Sequence, residues 1–416
     1  MRKYIFLLAF CCLSANLFSE VALRYRMSAL AGMMMRDGKV DPWLSDQPML
    51  GAEFAVEFLP TGKWHCLQEW NNSSVGLSFT YYNLGNDQKL GHIFAPAVYL
   101  QVPLVHTPHF EFGLRPSVGI GFATRWYENT VDEGQKYLSV KGANQSMGGV
   151  VSAYLPEALY FDFIINKEWR INLTAGWYHF SNGSIKQPNA GYNMFNGMLG
   201  LCYTPAYQNY EAPATDVSNS MYKKKNWDVE LSVIGGVKQA YYRDQTFFGV
   251  GALSLSSHWR ALSVFKIGGG IDFFYDGYYS SVNKEFAKEG DAVTYFGKTY
   301  LSESKLSNCF RLGISLQPEL VLGRFTTGFH FGFYLIDPIK NLETKDAVVA
   351  NGGPFNRGIF YSYDMLNAGS AGHADGWLYT RLCFKYRVTD HFFIEASMKT
   401  HLMKAEFVGI GIGACL

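Results

Sequence analysis

Trp169-Arg170-Ile171-Asn172-Leu173-Thr174-Ala175-Gly176-Trp177-Tyr178-His179-Phe180-Ser181 alternates residue by residue. Trp169, Ile171, Leu173, Ala175 and Trp177 fall on one side, and Arg170, Asn172, Thr174 and Gly176 on the other. Successive side chains of a β-strand point to opposite faces, so the stretch reads as a strand with one apolar and one polar face. His179 and Ser181 continue the apolar row. A base and a hydroxyl on the greasy face of a strand are badly placed for a soluble protein. They are well placed to attack something dissolved in a lipid layer.

The same period of two recurs along the chain. Val75-Leu77-Phe79-Tyr81, Trp227-Val229-Leu231-Val233, Phe310-Leu312-Ile314-Leu316 and Phe325-Thr327-Phe329-Phe331-Phe333 all show it, with Glu, Arg, Lys, Ser and many glycines between. Segments of about ten residues with this alternation are the signature of strands with lipid outside and a polar interior. Composition agrees. Of 416 residues 17% are charged, 16% are aromatic and 42 are glycine, against roughly 25% charged in ordinary soluble domains. Lys and Arg number 36 against 35 Asp and Glu, so no nucleic-acid partner is expected.

Arg2-Lys3 followed by the apolar run Tyr4–Leu13 reads as a secretory signal, with residues 1–19 as the leader. Phe10 ahead of Cys11-Cys12 is too bulky for a lipoprotein signal. The remaining cysteines, at 66, 202, 309, 383 and 415, are scattered and odd in number, which is no disulfide framework. Strands are expected near 21–34, 50–58, 74–83, 92–104, 109–123, 150–164, 168–181 and 193–205. A second set is expected near 227–237, 247–256, 261–275, 308–322, 324–335, 377–388, 391–402 and 405–415. Val150–Glu157 could instead begin as a helix. The polar, aperiodic stretch 207–226, with Pro213 and Lys223-Lys224-Lys225, reads as a linker. Long connections (124–149, 276–307, 336–376) then fall on one side and short turns on the other, as in outer-membrane barrels, although 59–73 breaks the rule.

The expected fold is therefore all-β: an antiparallel transmembrane barrel, as two tandem eight-stranded barrels at 20–206 and 227–416, or as one barrel of sixteen strands. Each half ends in a strand, a tight turn, a strand carrying histidine (His179 or His401) and a glycine-rich last strand. Asn193 opens its strand in phase with Phe195, Leu199, Leu201 and Tyr203, which puts it on the same outward patch as His179 and Ser181.

The cluster His179-Phe180-Ser181-Asn182, followed by Pro188-Asn189-x-Gly191, resembles the signature of the lipid A 3-O-deacylase (PagL-type) outer-membrane esterases. The resemblance covers roughly residues 20–206, and its motif fifteen of them. It implies an eight-stranded barrel in the outer membrane of a Gram-negative bacterium. It also implies serine-ester hydrolysis, with lipid A of lipopolysaccharide in the outer leaflet as substrate and neither metal nor organic cofactor. By the same resemblance Ser181 is the nucleophile and His179 its base. Asn182 and the backbone N–H near Ser184 are oxyanion donors, and Asn189 shapes or completes that hole. The acyl chain is expected to lie against Trp169, Leu173 and Trp177. The family's acid falls at Asn193, a departure from the pattern. An amide can fix the imidazole tautomer but cannot stabilise imidazolium as a carboxylate does, a loss of roughly 10⁴-fold in serine proteases. A slower enzyme, an acid from elsewhere and a retired site all stay open, as does a non-catalytic barrel that keeps the motif. The oligomeric state is not legible.

In the second half Phe392, Ile394, Ala396, Met398 and Leu402 form the apolar row, so His401 is expected on the polar face with Glu395 and Lys399. No Ser-Asn or Pro-Asn-x-Gly follows it, which reads as a repeat without catalysis. His106-Thr-Pro-His109 lacks the supporting ligands of a metal site. Gly268-Gly269-Gly270 lies within a strand and is expected to save space inside a barrel.

Overall fold

The computed structural model describes residues 22–35, 47–60, 65–130, 144–206, 227–239, 246–262, 264–280, 294–295, 298–299, 306–337, 378–401 and 404–415. The expected leader 1–19 and linker 207–226 lie outside the described residues. Two closed antiparallel barrels of eight strands each make up the fold. The sixteen-stranded alternative is excluded, because each sheet closes on itself. The two compact units of the chain are each centred on one barrel.

The first barrel runs β1 (Leu23–Met34), β2 (Met49–Phe58), β3 (Ser74–Asn83), β4 (His92–His106), β5 (Phe110–Ala123), β6 (Val151–Ile164), β7 (Trp169–Ser181) and β8 (Tyr192–Tyr203). Strand β1 pairs with both β2 and β8, which closes the sheet. Outward positions such as Phe54, Leu77, Phe79, Val98, Leu173 and Leu199 are exposed and apolar. The intervening positions, such as Arg26, Glu53, Glu57, Asn172 and Thr174, are buried, so the alternation read from the sequence separates an apolar outside from a polar inside.

The interior is filled, as expected where about eight strands enclose only enough room for side chains. Glu57 meets Arg24 at 3.1 Å and Arg26 at 3.3 Å, while Glu53 meets Arg115 at 2.9 Å. Asp162 accepts from Asn172 Nδ2 at 2.5 Å and Gln101 Nε2 at 3.3 Å. Each charge has partners, without which its burial would cost several kcal/mol. Toward the His179 end the filling turns aromatic: Phe180 stacks on Tyr154 with centroids 4.5 Å apart, and Tyr154 and Tyr82 share a 2.6 Å hydroxyl contact.

The second barrel comprises β9 (Trp227–Gln239), β10 (Phe247–Leu262), β11 (Phe265–Asp276), β12 (Phe310–Leu322), β13 (Phe325–Ile336), β14 (Leu378–Arg387), β15 (Phe392–His401) and β16 (Lys404–Cys415). Strand β16 closes it on β9. Its interior is again ionic: Glu319 meets Lys385 at 2.6 Å and Lys266 at 3.0 Å, and Asp272 meets Arg381 at 2.6 Å.

Val151 begins a strand, as expected for 150–164, and the helical alternative falls away. Two local readings change. The irregular 59–73 connection contains the short helix α1, His65–Glu69. Strand β10 continues to Leu262 rather than stopping at 256. Ser257 and His258 imitate a strand end in the sequence, yet His258 is fully buried in the barrel while Trp259 stays exposed outside.

Candidate active site

Strand β7 carries Trp169, Ile171 and Leu173 outward and Asn172, Thr174, Tyr178 and Phe180 into the barrel. By strand alternation His179 and Ser181 share the parity of the outward row. His179 is half-buried and Ser181 only 3% exposed. Asn193, on β8, is the direct cross-strand partner of His179 and shares its parity with Phe195 and Leu199. Two hydrogen-bonded groups are built at this end of the hairpin.

The first is the imidazole group. His179 Nδ1 lies 2.8 Å from Asn193 Oδ1. A carbonyl oxygen only accepts, so Nδ1 carries the proton and Nε2 the basic lone pair. The indole of Trp177 stacks on the imidazole, with centroids 5.3 Å apart and planes inclined by 15°. Trp177 is thus engaged with His179, whereas Trp169 packs on Tyr203 at 4.6 Å and Leu173 stays exposed.

The second is the hydroxyl group. Ser181 Oγ accepts from Asn189 Nδ2 at 2.8 Å and from the Gly183 N–H at 3.2 Å. A hydroxyl has two acceptor lone pairs and one O–H to donate. With both lone pairs occupied, the direction left for that O–H is fixed. Asn189 is itself held, because its Oδ1 accepts the Asn182 N–H at 3.0 Å. Gly183 and Ser184 both lie in the left-handed region, at φ 64° and 68°. That turn folds the chain back and aims the Gly183 N–H at Oγ.

The backbone N–H that reaches Oγ is that of Gly183, next to Ser184. The side chain of Asn182 closes the loop instead, donating from Nδ2 to Lys186 O at 2.7 Å. Support from the 124–150 connection was not legible at all. Ala190 and Gly191 donate to the carbonyls of Gln145 and Ser146 at 3.2 and 3.0 Å, and Lys186 pairs with Glu128 at 2.9 Å. A Cβ at Gly148 would sit 2.5 Å from Lys186 O and 2.7 Å from Pro188 O, so glycine is required for this approach. The only sequence signal was a glycine in a long loop.

In the second barrel His401 is 2% exposed and lies 2.7 Å from Glu406 Oε2, with its other nitrogen on Leu378 O at 3.1 Å. His106 sits beside Glu111 at 3.0 Å. Among the described residues His258, Glu319 and His330 could offer ligand atoms within 4.8 Å of one another. Lys266 and Lys385 already neutralise Glu319 there and would repel a divalent ion.

Residues 53–202 match the family model described as Lipid A 3-O-deacylase (PagL). Residues 227–347 and 361–414 match that described as Acyloxyacyl hydrolase, C-terminal domain. No curated protein matches the chain. Among solved structures, Neisserial surface protein A is similar at 10% identity and a TM-score of 0.27, over 44% of this chain and 97% of that one. A mutant porin of Rhodopseudomonas blastica aligns at 7% identity and a TM-score of 0.17, over 95% of this chain and 100% of that one.

Proposed function

We propose that this chain, which belongs to the PagL family of lipid A 3-O-deacylases, is an outer-membrane serine esterase that removes an ester-linked acyl chain from lipid A. The substrate reaches the site sideways from the outer leaflet, with its acyl chain along the exposed row of Trp169 and Leu173. The apolar belt supports a membrane setting, and the long connections at the His179 end fit the cell exterior.

Ser181 Oγ bonds to the acyl carbonyl carbon as its proton passes to His179 Nε2. The carbonyl oxygen becomes an oxyanion and takes over the donors that Oγ occupies beforehand, Asn189 Nδ2 and the Gly183 N–H. The C–O bond to the sugar then breaks, and the leaving oxygen takes the proton from His179. Water, deprotonated by the same nitrogen, attacks the acyl-serine. The fatty acid departs and Oγ regains its proton. Throughout, Asn193 Oδ1 holds Nδ1–H, which keeps Nε2 basic.

The observation that carries this reading is the doubly bonded hydroxyl of Ser181, two residues along one strand from a histidine whose tautomer is set by a cross-strand amide. Mass spectrometry of lipid A from cells expressing the wild type and Ser181→Ala tests it. The wild type is expected to release one acyl chain, and the variant to lower that release by on the order of 10³-fold or more. Identical acyl patterns would leave a barrel that keeps the motif without turnover, the reading that Asn193 favours.

A further inference from the structure

We infer that Trp177 is a positioning residue for His179 and supplies part of the charge stabilisation that a carboxylate at position 193 would give. This rests on the esterase reading above and deepens it.

The chemistry creates imidazolium in both halves of the cycle. At its Nδ1 the cation meets Asn193 Oδ1, a dipole without net charge. On its face it meets the indole of Trp177, at 5.3 Å and nearly parallel. The face of an aromatic ring is electron-rich, indole gives the strongest such attraction, and the useful range extends to roughly 6 Å from the centroid. Water exclusion strengthens it, and His179 is half-buried at an apolar belt. The stack also holds the imidazole plane, at 15° to the indole. Trp177 therefore differs from Trp169, which packs on Tyr203 in the same outward row. Both are expected to meet lipid, but only Trp177 also touches the base. The attraction matters more in the transition state, where the cation forms, than in the ground state, so its loss falls on kcat.

The test is steady-state hydrolysis of lipid A by the full chain folded in detergent, with folding checked by heat-modifiable migration. Trp177→Leu keeps the apolar bulk and is expected to lower kcat by about 3- to 30-fold with little change in KM. Trp177→Phe is expected to recover most of that loss. In an Asn193→Asp background the penalty of Trp177→Leu is expected to shrink below about 3-fold, because a carboxylate takes over the charge. A raised KM at unchanged kcat, or equal penalties in the two backgrounds, would overturn the inference and leave Trp177 as a wall for the acyl chain. Should Trp177→Leu fail to fold, Trp177→Phe in the two backgrounds gives the same decision on a smaller scale. Release that depends on Ser181 but ignores Trp177 sinks this inference alone; no Ser181-dependent release sinks the esterase reading with it.

Discussion

Each barrel carries a histidine at or near the end of its penultimate strand, and the two histidines have opposite surroundings. On β7, His179 has the parity of the outward apolar row, stacks on Trp177 and is bonded to the amide of Asn193. On β15, His401 faces the interior, where Glu406 also meets Arg311 and Lys399. One step of strand parity separates a histidine on the outward apolar row, the base of the proposed reaction, from a member of a buried ionic core. The following connection reinforces the difference. Ten residues, 182–191, separate β7 from β8 and fold over Ser181, whereas only 402–403 separate β15 from β16. A hairpin that short has no length for an oxyanion-donor loop.

Removing each histidine in turn separates the two roles. His179→Ala is expected to lower release of the acyl chain by about 10³- to 10⁴-fold while leaving the barrel folded. His401→Ala is expected to leave turnover within about 2-fold and to destabilise the second barrel by roughly 1–3 kcal/mol, since Glu406 keeps two cationic partners. Kinetics and the temperature at which heat-modifiable migration is lost read the two effects separately. Equal loss of activity in both variants would mean that parity does not assign their roles.

That parity was readable from sequence explains why so much of the fold was. Alternation in Trp169–Ser181 or Phe325–Phe333 follows from backbone geometry, which sends successive side chains to opposite faces and is local. Closure was not local. Strand counting could not tell whether β8 returns to β1, because that pairing joins Tyr25 to Tyr203 across most of the first half. Interior partners are equally remote, as with Arg24 and Thr204 or Lys385 and Glu230. Strand ends failed where inward residues are polar, so His258 ended the expected β10 too early. At the site, residue types at Ser181, Asn182 and Asn189 were visible, but not which amide turns toward Oγ. That choice depends on the left-handed turn at Gly183 and Ser184 and on Gln145 and Ser146, which brace the hairpin from another loop.

Within the β7–β8 hairpin, Asn189 and Asn182 are expected to differ in the same way, by a smaller amount. Asn189→Ala removes the side-chain donor to Ser181 Oγ and is expected to lower kcat by about 10²- to 10³-fold. Asn182→Ala, whose amide bonds Lys186 rather than the hydroxyl, is expected to cost less than about a tenth of that. Reversed penalties would move the oxyanion site to Asn182, as the bare motif implies.

The smallest change is a gain. Asn193→Asp is close to isosteric, so the 2.8 Å reach to His179 Nδ1 is kept while the acceptor gains a full charge. In serine proteases the reverse exchange costs roughly 10⁴-fold, largely because the amide favours the wrong tautomer. Here Asn193 presents its oxygen and the tautomer is already correct, so only the charge is missing. The expected rise in kcat is correspondingly modest, about 10-fold, with KM unchanged. A far larger rise would show that the amide rotates and misplaces the proton in the wild type. No rise, in a chain whose wild type turns over, would assign stabilisation of the imidazolium to another group, with the stacked indole first in line.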